Sequence, residues 1–156
     1  MRILGIDPGT GRLGFGVIEV VKNKAQMLSA GVVTTPAHTP LPERLVDIYE
    51  SLGQIIEEEK PEVCAIEKLF FAQNVTTAIS VAEARGVATL ICQQRGLKIF
   101  EYTPLQIKQT FTGYGRAEKK QVQEMVRLHL GLKDVPKPDD AADALAAAIT
   151  HQLMER

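Results

Sequence analysis

The sequence predicts an α/β chain built on a mixed five-stranded sheet, three antiparallel strands followed by two parallel ones, with helices on both faces. Three observations carry that prediction. The first 34 residues hold three strand-like stretches joined by short links. From residue 43 onward, helical and strand patterns alternate. The 156 residues, 45% apolar and 24% charged, suffice for one buried core, so residues 1–156 read as one domain.

Each element has its own signal. Residues 2–7 (RILGID) form the first strand, stopped by Pro8-Gly9. Residues 13–21 (LGFGVIEVV) and 26–34 (QMLSAGVVT) form the second and third. Their short links predict an antiparallel meander. Pro36, Pro40 and Pro42 introduce a helix from Glu43 to Glu58, where Leu45, Ile48, Leu52, Ile55 and Ile56 recur at helical spacing until Lys60-Pro61. Residues 62–69 (EVCAIEKL) form a fourth strand, parallel to the first through a right-handed crossover. A long helix spans Asn74 to Arg95, with Asn74 as N-cap and Gly96 beyond its end. Residues 97–102 (LKIFEY) form the fifth strand. Pro104 opens a short helix through Phe111, and Gly113 and Gly115 break the chain. Ala117 to Leu130 is helical, with Gly131 as its cap. A proline-punctuated linker, 134–138, leads to the last helix, Asp139 to about Glu155.

Composition excludes some classes of function. A net charge of −1 and a pI near 6.3 exclude a histone-like polycation but not a local basic patch. Cys64 and Cys92 each sit in an apolar run, as small core hydrophobes rather than a disulfide framework, which suits a reducing cytosol. There is no signal-peptide apolar stretch and no run of 18 apolar residues, so neither secretion nor a membrane span is expected.

The candidate chemistry lies in the acids. Gly9-x-Gly11-x-x-Gly14 has the spacing of a dinucleotide fingerprint, but a strand follows it rather than the helix that would hold a pyrophosphate. A tight hairpin with glycines at positive φ is expected instead, or small residues that let a substrate backbone approach. Asp7 ends one apolar strand and Glu67 lies near the end of another. Alone, either acid reads as a satisfied strand-end residue. Together, they mark the crevice where open α/β sheets place ligands. Asp140 and Asp143 share nearly one face of the last helix. The helix dipole accounts for acids in the first turn but not for Asp143 among alanines.

If Asp7, Glu67, Asp140 and Asp143 converge, they need cations, since crowded carboxylates resist ionisation. All-oxygen ligands suit Mg²⁺, with Mn²⁺ able to substitute, and two ions per subunit could clamp the attacking and leaving oxygens of a phosphodiester displacement. Residues 104–133 carry Lys108, Arg116, Lys119, Lys120, Arg127 and Lys133 against two glutamates, whereas residues 43–62 carry seven acids against two cations. A solvated helix face would explain the basic stretch; beside a carboxylate site it suggests a phosphate backbone as substrate. Phe70 and Phe71 follow Glu67 closely. They read either as core residues or as aromatics that stack on bases. His38, His129 and His151 are scattered, without metal spacing.

The stretches ILGIDPGTGRLGFGVIE, AIEKLFFAQN, EARGVA, QIKQTFTGYGRAEKKQVQEMV and DDAADALAAAITH, in that order over nearly the whole chain, closely resemble the RuvC-type Holliday-junction resolvases. The resemblance implies a ribonuclease H-like fold. It also implies a bacterial, cytoplasmic, Mg²⁺-dependent homodimer that nicks two opposed strands of a four-way DNA junction symmetrically, in recombination and repair. A branch-migration complex, RuvA and RuvB, is the implied partner. By motif position, Asp7, Glu67, Asp140 and Asp143 are the implied catalytic, metal-holding acids. Lys108 and Lys119 are the implied basic pair and Phe70 the base-contacting aromatic, with Phe71, Arg116 and Lys120 as further candidates for DNA contact. Asp139 adjoins the motif, and the three-residue spacing to Asp143 favours Asp140 as the ligand. The helix from Asn74 to Arg95 is the implied dimer interface, through Ala78, Val81, Ala82, Ala84, Ala88 and Leu90; packing within its own domain is the competing explanation. Two rival functions remain at this stage: a nuclease acting on RNA or RNA–DNA hybrids, and a junction-binding scaffold with structural acids. A sugar kinase or actin-like ATPase, suggested by DPGTG, would need a second such domain.

Overall fold

The computed structural model describes residues 1–68, 75–113 and 117–155. Its elements run β1 (Arg2–Asp7), β2 (Arg12–Val21), β3 (Lys24–Thr34), α1 (Leu41–Glu59), β4 (Val63–Glu67), α2 (Val75–Gln94), β5 (Lys98–Tyr102), α3 (Pro104–Thr112), α4 (Lys119–Leu130) and α5 (Asp139–Met154). The sheet order is β3-β2-β1-β4-β5. The first three strands pair antiparallel, and β4 and β5 join in parallel. This is the mixed sheet that the pattern predicts.

Local chemistry sets the ends. Lys22 and Asn23 both have positive φ, 52° and 66°, as a two-residue hairpin between β2 and β3 requires. Helix α1 starts at Leu41, two residues before the expected start, because Pro42 fits a first turn that has no intrahelical use for its missing N–H. Helix α4 starts at Lys119 rather than Ala117, because Glu118 is the extended N-cap and shares a capping box with Gln121. Thr103 and Gln106 cap α3 in the same way, and Gly113 and Gly131 close α3 and α4 in the left-handed conformation. The expected N-cap Asn74 and breaker Gly115 lie outside the described residues.

The sheet separates two cores. On one face Leu4, Ile6, Leu13, Val17, Cys64 and Ile66 meet Ile48, Leu52 and Ile56 of α1 and Ala84, Ala88, Ile91 and Cys92 of α2. On the other, Ile3, Ile18, Val63, Ala65 and Tyr102 meet α5, with α3 and α4 behind it. The expected small-residue interface on α2 needs correction. Ala78, Ala84 and Ala88 are buried within the chain's own fold, whereas Ile79 and Leu90 are exposed. The competing reading, packing within the chain, is the one the structure takes for those alanines. No helix among the described residues is long and apolar enough to cross a membrane.

Helix α5 approaches the sheet at backbone distance. A Cβ on Gly5 would fall 1.9 Å from the Ala144 carbonyl oxygen, and one on Gly14 would fall 2.1 Å from that of Asp140. Gly5 and Gly14, on β1 and β2, thus admit the backbone of α5 itself. Gly9 and Gly11 are not among the positive-φ residues, so the expected left-handed hairpin glycines are also corrected. Gly9 is needed for space, since its Cβ would lie 2.1 Å from the Arg12 carbonyl oxygen.

Candidate active site

Asp7 ends β1 and Glu67 ends β4. Ile6 lies beside Ile66 in the parallel ladder, so the two acids leave the sheet side by side at the carboxyl ends of adjacent strands. Gly14 is the cross-strand partner of Asp7, and it admits the first turn of α5 with Asp140. Asp143 follows one turn later. Carboxylate oxygens of Asp7, Asp140 and Asp143 lie within 4.8 Å of one another. The Glu67 carboxylate joins the group through a hydrogen bond with Asp7.

This crowding shows in the electrostatics. Burial, then the charges of Glu67 and Asp143, push the Asp7 carboxyl up to about 9; the hydrogen bond to Glu67 and the charge of Asp140 add to it. Burial also raises Glu67, although its hydrogen bond from Asp7 and the charges of Lys119 and Lys108 oppose that rise. Burial and mutual repulsion thus make the Asp7–Glu67 pair hold a proton more readily than either carboxyl would alone. Asp143 is raised by burial against the counter-charge of Lys119.

Two lysines face the acids. Lys119, the first residue of α4, sets Nζ 3.4 Å from Asp143 Oδ2 and 3.7 Å from Asp139 Oδ2. Burial works against its charge, but Asp143, Asp139 and Asp140 outweigh that and raise its pKa. Lys108 extends from α3, near enough for its charge to act on Glu67. Asp139 thus faces Lys119 from an exposed position, while Asp140 joins the oxygen cluster. Lys120 is exposed on the first turn of α4. Phe70, Phe71 and Arg116 lie outside the described residues.

Arg85 is a residue that the pattern of charges alone does not single out. Its Nη2 pairs with Glu101 of β5 at 2.8 Å, and its Nε donates to the Glu67 carbonyl at 3.5 Å. It thereby ties α2 to the strand end that carries Glu67. The sequence signal, an arginine inside an apolar helix, does not say which strand it reaches. The donor set as a whole fits a hard divalent cation: every available ligand atom is oxygen, the ligands come from a strand end and a helix, and the raised pKa values of Asp7 and Asp143 mark carboxyls crowded together where a cation would favour their charged forms.

Comparison with known proteins places the chain in a family and agrees with its fold. The family model described as crossover junction endodeoxyribonuclease RuvC matches residues 3–151. The crossover junction endodeoxyribonuclease RuvC of Desulfitobacterium hafniense is 55% identical over 151 residues, spanning 97% of this chain and 92% of the relative. The solved RuvC of Thermus thermophilus superposes with a TM-score of 0.94 at 38% identity, over 100% of this chain and 96% of the other. The same protein in complex with a Holliday-junction substrate also gives 0.94 at 38% identity, over 100% and 95%.

Proposed function

This chain belongs to the RuvC family of crossover junction endodeoxyribonucleases and has their ribonuclease H-like fold, and on that premise we propose that it resolves four-way DNA junctions by metal-dependent phosphodiester hydrolysis. The observation that carries the reading is the convergence of Asp7, Asp140 and Asp143 oxygens within 4.8 Å, with Glu67 bonded to Asp7 and Lys119 at its edge.

Asp7, Glu67, Asp140 and Asp143 would hold Mg²⁺, two ions per subunit, with Mn²⁺ able to substitute. When bound, such ions polarise the phosphate and lower the pKa of a bound water. The side chains divide the remaining work. The four carboxylates confine negative charge to one cup and so select cations over the substrate's own phosphates. Lys119 and Lys108 bring positive charge to the rim, where charge on the attacked phosphate grows. The Arg85 bond to the Glu67 carbonyl keeps the end of β4 in line with that of β1. Phe70 and Phe71 would stack on bases near the crossover, while Lys120 and Arg116 contact the backbone.

Residues 1–156 act as one nuclease domain in this reading. Two copies would pair through the exposed side of α2, at Ile79 and Leu90, so that two sites make symmetric nicks in opposed strands. The setting is recombination and repair in the bacterial cytoplasm, together with a RuvA–RuvB branch-migration complex.

A side-by-side digestion in Mg²⁺ of a synthetic mobile four-way junction, a linear duplex and an RNA–DNA hybrid tests the assignment. Paired nicks in opposed strands of the junction are expected. Digestion of the hybrid with the junction intact would favour the ribonuclease alternative. Junction binding without cutting in Mg²⁺ or Mn²⁺ would favour a scaffold.

A further inference from the structure

We infer that Thr35 and Arg44 are positioning residues for Asp7, bracing the turn that follows it from the opposite side of the sheet. The inference rests on the reading of Asp7 as a metal-holding acid.

The turn 8–11 joins Asp7, the last residue of β1, to Arg12, the first of β2. Its own residues do little to hold it. Gly9 cannot carry a side chain, and the Thr10 hydroxyl is buried without a hydrogen-bond partner among the described residues. Two bonds reach it instead from Thr35, and a third, from Arg44, holds Thr35 in turn. The Thr35 N–H donates to the Gly11 carbonyl at 3.0 Å. The Thr35 hydroxyl donates to the Thr10 carbonyl at 2.6 Å. Arg44 Nε donates to that same hydroxyl at 2.9 Å. Thr35 is only 3% exposed, and its hydroxyl's bond to the Thr10 carbonyl is buried.

The three groups form a directional chain. A charged guanidinium donates to a hydroxyl, which donates to a carbonyl, and each donor strengthens the next bond. Thr35 directly follows β3, and Arg44 lies in the first turns of α1. Asp7 is crowded by Asp140, Asp143 and Glu67. Crowded carboxyls relieve repulsion by moving apart, and the turn beside Asp7 is where the end of its strand could give way. The brace opposes that movement, so the acid stays at ligand distance. A displacement of about 1 Å at such a site can cost up to about 100-fold in rate.

The test uses Thr35→Val, which keeps the shape and removes the hydroxyl, beside Thr35→Ser, which keeps it. Three quantities are read in the full chain: kcat and KM on a four-way junction in Mg²⁺, Mn²⁺ affinity by calorimetry without DNA, and the urea midpoint. Thr35→Val is expected to lower kcat about tenfold and to weaken Mn²⁺ binding by a similar factor, with KM within about twofold. Thr35→Ser should restore both. Wild-type kcat and Mn²⁺ affinity in a folded Thr35→Val chain overturn the inference, and so does a loss that serine fails to restore. Should Thr35→Val not fold, Arg44→Leu and Arg44→Lys decide. Both lose the Nε donor, so a comparable, smaller fall in Mn²⁺ affinity is expected from each. Wild-type affinity in both overturns the brace, and a fall confined to leucine assigns the effect to charge instead, which also overturns it. If the wild-type chain binds Mn²⁺ but does not cut the junction, the functional reading fails, while the calorimetric arm still judges the brace.

Discussion

On one face of the sheet, Leu4, Ile6, Leu13 and Val17 meet Ile48, Leu52 and Ile91 through full aliphatic side chains. On the other, Gly5 and Gly14 meet the bare backbone of α5, whose buried surface is mostly alanine. The aliphatic face removes more apolar area from water per residue, and so supplies stability. The glycine–alanine face gives up that area for proximity. What it gains is placement: α5 comes so close that Asp140 and Asp143 reach Asp7. The two faces therefore predict different consequences for mutation, one in stability alone and the other in stability and chemistry together.

Asp7→Asn should break the chemistry most completely. Cleavage of a four-way junction in Mg²⁺ should fall at least ~1000-fold, while junction binding, measured by gel shift, remains largely intact. The same change removes a buried, repelled carboxylate, so the thermal midpoint without divalent cations should rise. A variant that still cuts at the wild-type rate would remove Asp7 from the site.

Next in size is a matched pair. Gly14→Ala forces its Cβ against the Asp140 carbonyl and should cost about 3 kcal/mol, with cleavage per folded molecule down about 100-fold. Leu52→Ala, fully buried on the aliphatic face, should cost about 2–5 kcal/mol with cleavage per folded molecule unchanged. Urea unfolding and single-turnover cleavage check both. Equal effects on rate would erase the distinction between the faces.

That distinction was only partly legible in the sequence. The element order, the parallel crossover and the acids at Asp7, Glu67, Asp140 and Asp143 could be read because periodicity and strand-end position are local properties. The purpose of Gly14 could not, because a glycine in a strand does not declare which backbone comes near it. Helix α2 misled for a different reason. It is apolar on several sides, so composition could not tell that Ala84 and Ala88 turn inward while Ile79 and Leu90 turn out. Thr35 and Arg44 were silent as well, since Thr35 bonds to Thr10 and Gly11, far back in the chain, and Arg44 acts only through Thr35.

Lys119→Ala sharpens the contrast within the glycine–alanine face. Its ion pairs are solvent-exposed, with 57% of the lysine side chain accessible, so stability should change by less than about 1 kcal/mol. Cleavage should slow about tenfold, because the charge lies where the transition state becomes more negative. Junction affinity should fall by less. Equal losses in rate and affinity would reduce Lys119 to holding phosphate in place.

The smallest effect is a pH dependence carried by α5 away from the acids. His151 is buried, with its Nδ1 2.7 Å from the Tyr102 hydroxyl and its ring against Phe100. Burial lowers its pKa below the ordinary 6.5, and the charge of Glu155 only partly offsets that. Burial also pushes the Tyr102 phenol up to about 12, so the hydroxyl keeps its proton and can donate to a neutral imidazole. Well above pH 6.5 the histidine is neutral whether folded or unfolded, and contributes no slope. As pH falls through that value, the unfolded chain takes up a proton that the folded chain resists, so stability declines. Urea midpoints of wild type and His151→Gln between about pH 7.5 and 5.5 isolate the effect, because the carboxylates titrate alike in both and cancel in the difference. The wild type should lose more stability on acidification than the variant. Identical slopes would mean that the imidazole is not held neutral by its burial.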